Sequence, residues 1–68
     1  MDELKKAIAN LSAINNALFV ACKKRDKKKI LEIYEAANAI DLEVIPANDE
    51  TFKLYDELVS QANEILIA

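Results

Sequence analysis

Leu4, Leu11 and Leu18 recur every seven residues, and Ala7, Ile14 and Ala21 repeat the same spacing three residues later. Ile8 and Cys22 widen the stripe, so one face of the segment is apolar at helical spacing, which predicts an amphipathic helix over roughly residues 2–24. Continuing that phase would place Arg25, Lys28, Glu32 and Glu35 on the buried side. A new stripe begins instead at Ile30, Ile33, Tyr34, Ala37 and Ile40. The phase break predicts a turn near residue 25 and a second helix over 27–42; one bent helix through 2–42 is the alternative, since neither Gly nor Pro interrupts it. Asp26 suits the N-cap of the second helix. Pro46 lacks an N–H and biases Ile45 away from helix, so the second helix should end near residues 41–43. A third helix over 49–67 follows, capped by Asn48 or Asp49. Its stripe is Phe52, Tyr55, Val59, Ala62 and Leu66, widened by Leu58 and Ile65.

Three helices with two short connections predict an all-α fold over residues 1–68: a three-helix antiparallel bundle, or a helical hairpin plus a third helix. Size then raises the question of stability. A 68-residue chain buries only about 60% of the surface its unfolded form exposes, and such cores are commonly supplemented by disulfides, metal or self-association. Cys22 is the single cysteine and there is no histidine, so the usual disulfide and Cys/His zinc supplements are not expected. Self-association, or a protein partner, is the expected supplement. The composition, 53% hydrophobic and 31% charged, is that of a folding chain. The longest apolar run, ALFVAC at 17–22, is too short for a membrane span and badly placed for a signal peptide. Met1 and a lone thiol lead to the expectation of a complete, cytoplasmic protein. With no glycine, phosphate-cradling loops and hairpin turns lose the residue they rely on.

Charge is distributed unevenly. Residues 23–29 read KKRDKKK, about +5, and residues 30–68 hold nine acids against the single Lys53. Lys23, Lys24 and Arg25 complement the C-terminal end of the first helix, whereas Lys27, Lys28 and Lys29 oppose the dipole at the start of the second. The cluster is readable as a solvated tip between helices, as a phosphate-binding patch, or as one half of an electrostatic match to an acidic protein surface. No stacking aromatics or basic helix face accompany it, and those are the usual companions of nucleic-acid recognition.

Phe19 and Val20 lie off the stripe of the first helix, which makes its last two turns apolar nearly all round. They are the candidate contact surface, with Glu32, Glu35, Asp56 and Glu57 as an acidic, orienting rim. Asn15 interrupts the stripe and is expected at its water-lined edge. Tyr34 and Tyr55 are expected in the core with their hydroxyls at its rim, and Cys22 as an inert small hydrophobe. The run NALFVACKKRDKKKILEIYEAA, residues 16–37, resembles the helix-turn-helix unit of pentatricopeptide and related helical repeats. It covers one unit and lacks the glycine usual in that turn, so the resemblance implies a helical hairpin and no residue role.

Catalysis lacks its usual carriers: there is no histidine, no glycine-rich loop, and no serine or cysteine with a base nearby in sequence. The carboxylate pairs Asp49/Glu50 and Asp56/Glu57 fall on the polar side of the third helix, where ordinary pKa values make poor general acids. The leading expectation is a small non-enzymatic regulator, inhibitor or adaptor that binds a partner protein or itself through apolar helix faces. No cofactor, metal, membrane or small-molecule substrate is expected. The alternative is a nucleic-acid-binding regulator using Lys23, Lys24, Arg25, Lys27, Lys28 and Lys29.

Overall fold

The computed structural model describes residues 2–68. Three α-helices and one 3-10 turn follow in order: α1 Asp2–Lys24, α2 Lys27–Asn38, the turn Leu42–Val44, and α3 Glu50–Ile67. No strand occurs among the described residues, and the fold is all-α with the shape of a three-helix bundle.

α1 is the element on which the other two are laid. In its C-terminal half, Leu18, Ala21 and Cys22 meet Ile30 and Ile33 of α2 and Leu58 and Ala62 of α3. In its N-terminal half, Ala7 and Leu11 are covered by Ile45 of the second connection, with Ile40, Leu42 and Phe52 packed around them. Asn15 reaches Thr51 and Cys22 faces Leu58, and both pairs are 36 residues apart. A constant offset belongs to a parallel pair. α3 therefore runs parallel to α1, and α2 runs antiparallel to both.

The first connection is tight. Asp26 N–H donates to the Ala21 carbonyl at 3.0 Å and Arg25 N–H to the Cys22 carbonyl at 3.1 Å. That pair of bonds is the Schellman closure of a helix C-terminus. The closure requires a left-handed residue, and Arg25 supplies it with φ 54°, at a position where glycine is the usual occupant. The Asp26 side chain then caps α2, accepting from Lys29 N–H at 3.1 Å. The helix break expected near residue 25 is thus present, and a single bent helix is not formed.

The second helix stops earlier than its periodicity predicts, at Asn38 instead of residue 42. Ala39 and Ile40 N–H donate to the carbonyls of Ala36 and Ala37, three residues back, which tightens the last turn and ends it. The apolar residues after it are used elsewhere: Ile40, Leu42 and Ile45 fold over the N-terminal half of α1, which α3 meets only through its first turns at Phe52 and Tyr55. Asp41 caps the short 3-10 turn, Asp49 N–H donates to the Pro46 carbonyl, and Asp49 caps α3 by accepting from Thr51 N–H at 2.8 Å.

Candidate functional site

Successive residues of a helix turn by about 100°, so the contacts of α1 fix where its remaining side chains point. Ala21 faces α2, and Asn15 and Cys22 face α3. Phe19 lies beyond the α3 contact, on the side away from α2. On α3, Leu58 faces α1 and Val59 faces α2, where its carbonyl lies 3.4 Å from the Tyr34 hydroxyl. Leu54 lies beyond the α1 contact, again away from α2. Both residues therefore open onto the same face, the outer side of the α1–α3 seam, and the 36-residue offset sets Phe19 level with residue 55, beside Leu54. Phe19 is 51% exposed and Leu54 47%. Ile8 and Ile65, both half-buried, lie outside this stretch of the seam: Ile8 packs on the Ala7–Leu11–Ile45 cluster and Ile65 on the three-helix cluster. The Lys23 ammonium lies 5.3 Å from the Phe19 ring centroid, a cation–π contact that partly covers the ring.

Val20 is also half exposed, at 48%, but it is the residue after Phe19 and points about 100° away. It opens on the α1–α2 side, in a shallow cleft of about 350 Å³ with Ala17, Ala21, Lys24, Asp26 and Lys29. Phe19 and Val20 are thus not brought together on one face. Nor are the four acids: Glu32 and Glu35 project from α2, and Asp56 and Glu57 from α3, all exposed. Glu32 pairs with Lys29 at 3.7 Å. Leu54 escaped the sequence reading, although it carries the same signal as Phe19, an apolar residue off its helix's stripe. Leu31 and Ile67 are further cases, the latter 86% exposed.

The six cations are exposed together at the turn between α1 and α2, which the 36-residue offset sets level with about residue 60 of α3, in a bundle with extents of 39 × 20 × 16 Å. Arg25, in its left-handed conformation, is exposed with the rest. Acids gather at the other connection, where α2 finishes and α3 starts: Asp41, Glu43, Asp49 and Glu50. Net charge thus changes sign along the molecule, with Lys5 and Lys6 offsetting part of the acidic end.

Asn15 corrects an expectation. It is 4% exposed, inside the α1–α3 contact, and its Nδ2 donates to the Thr51 carbonyl at 3.1 Å. Its Oδ1 is buried without a partner among the described residues. A polar group that accepts one bond geometry discourages slippage of α3 along α1. Tyr34 donates to Asn63 Oδ1 at 2.8 Å, and burial pushes its ionisation up, helped by Tyr55 and Cys22; burial does the same to Tyr55. Burial likewise raises the Cys22 thiol, whose thiolate is correspondingly disfavoured at neutral pH.

Besides the α1–α2 cleft, a second open cleft of about 330 Å³ lies between the start of α1 and the second connection, near Lys6, Asn10 and Asp41. No group of three or more metal-ligating side chains occurs among the described residues. No helix of the described residues is long and apolar enough to cross a membrane. No protein-family model, curated protein or solved structure matches the chain, and the open α1–α3 face with its uneven charge is the ground for a functional reading.

Proposed function

We propose that the protein is a small, cytoplasmic, non-enzymatic interaction module of the regulator, inhibitor or adaptor kind, which docks another polypeptide on the open α1–α3 face. The observation that carries this reading is the pair Phe19 and Leu54, two large apolar side chains half exposed at the same level of one seam. Covering both removes roughly 200 Å² of apolar surface, worth about 4–5 kcal/mol before the cost of association is met. The total surface, 4932 Å², exceeds the roughly 4,300 Å² typical of a folded chain of this mass, which supports a fold with surface left to cover.

Photo-crosslinking in the source cell tests the reading. Benzoylphenylalanine at position 19 or 54 is expected to give a covalent polypeptide adduct, while the same probe at Glu35 on the solvent face of α2 gives none. No adduct at either seam position refutes it.

The tip supports a second reading, nucleic-acid binding, because six exposed cations share one turn and among the described residues only Lys29 is in an ion pair. Phosphate contacts release counterions, so binding through the tip would fall with a log–log salt slope of several units. A flat salt response, or equal binding after Lys27, Lys28 and Lys29 are changed to Gln, removes this reading.

A further inference from the structure

We infer that the polypeptide docking on the α1–α3 face is a second copy of this chain, set antiparallel about a two-fold axis beside Phe19 and Leu54. The inference rests on the interaction reading above and names its partner. Area and charge both point this way. The molecule is 39 × 20 × 16 Å across, so one of its broad sides is large enough to supply the roughly 800 Å² that a standard interface takes from each partner. A two-fold makes the interface self-complementary, since each copy offers the same patch. Two orientations bring this face onto itself. The parallel one stacks tip on tip and sets six cations against six. The antiparallel one lays each basic tip beside the half of its neighbour that carries Asp41, Glu43, Asp49 and Glu50.

The register follows from the apolar pair. Phe19 is level with residue 55 through the offset seen at Asn15–Thr51 and Cys22–Leu58. A two-fold at that level stacks α3 on α3 and sends position 53 to position 57. Lys53 of each copy then faces Glu57 of the other, twice per dimer, and Leu54 comes close to its own symmetry mate. Lys53 is the sole cation after residue 29, and both it and Glu57 are exposed and have no ion-pair partner in the chain among the described residues.

Sedimentation of the purified full chain over a wide concentration range tests this. The expected result is a species of twice the 7.6 kDa chain mass. Leu54→Asp is expected to leave the monomer alone, with helicity by circular dichroism retained. Lys53→Glu and Glu57→Lys are each expected to weaken the dimer about tenfold, and the double exchange to restore it, as rim charges that set orientation do. Leu54→Cys is expected to form an interchain disulfide under mild oxidation. A mass that stays monomeric up to about millimolar concentration overturns the second copy as partner. In that case a foreign adduct at position 19 leaves the interaction reading standing, and no adduct removes both. A dimer indifferent to Leu54→Asp overturns the face. A dimer weakened by both single exchanges but not restored by the double overturns the antiparallel register.

Discussion

The two ends of the bundle are closed by different means. At the basic end, α1 turns into α2 within two residues, and the closure is made of backbone bonds at Arg25 and Asp26 with one carboxylate cap. At the acidic end, the chain takes residues 39–49 to pass from α2 to α3. What closes this end is apolar: Ile45 buried on Ala7 and Leu11, with Ile40 and Leu42 beside it. A local closure demands particular backbone angles of one residue. A packed connection demands only that apolar side chains arrive where a helix face is uncovered.

That contrast is open to direct tests. The largest effect is expected from Leu18→Ala, since Leu18 is fully buried where all three helices meet. A cost of about 3–5 kcal/mol there matches the entire stability of a core this small, so the variant should be largely unfolded by circular dichroism at 25 °C. Ile45→Ala should cost less, about 2 kcal/mol, because a connection collapses onto a cavity more readily than packed helices do. Urea melts that rank the two equally would erase the distinction between the ends.

Arg25→Gly isolates the local closure. Relief of the left-handed conformation, set against the greater freedom of glycine in the unfolded chain, should stabilise the protein by about 1 kcal/mol. For a domain this small that is a rise in Tm of roughly 4–8 °C. No rise would mean that the turn is not where the strain lies.

Alkaline titration probes the core from both ends, because Tyr34 packs in the three-helix cluster and Tyr55 in both clusters. Both are raised above the ordinary value of 10.0 in the folded chain. Between that value and the folded one, the unfolded chain ionises first and is favoured. The tyrosine contribution to stability is therefore whole below about pH 10 and is lost as pH rises above it. Tyrosinate absorbance should lag behind that of the urea-unfolded chain; coincident titrations would count against the burial of these rings.

The smallest effect concerns the cations after the cap. Changing Lys27, Lys28 and Lys29 to Gln removes positive charge from a helix start and should stabilise α2 by a few tenths of a kcal/mol per residue, screened by salt. Destabilisation would assign these lysines a structural role within the chain.

Much of the architecture was legible in the amino-acid sequence because its determinants are local. The seven-residue spacing of Leu4, Leu11 and Leu18 marks α1, the phase break after Lys24 marks the turn, and Asp26 and Asp49 mark the starts of α2 and α3 through side chains that reach N–H groups two or three residues ahead. Periodicity misled at Ile40. Its spacing continues the α2 stripe, but its side chain is drawn to the N-terminal half of α1, and nothing in the spacing distinguishes the two uses. Asn15 was misplaced for a related reason, since a position at the edge of a stripe becomes buried or wet according to where the neighbouring helix lies.

The helix starts, the basic tip and the segregation of charge along the sequence are thus properties of the sequence itself, set by interactions that span a turn or less. The tertiary structure decided that α3 runs parallel to α1 at an offset of 36 residues. That arrangement joins Phe19 to Leu54 and puts Asn15 out of water. Such pairings depend on which helix covers which side of α1, a choice made by the packing of all three together and by no short stretch of chain.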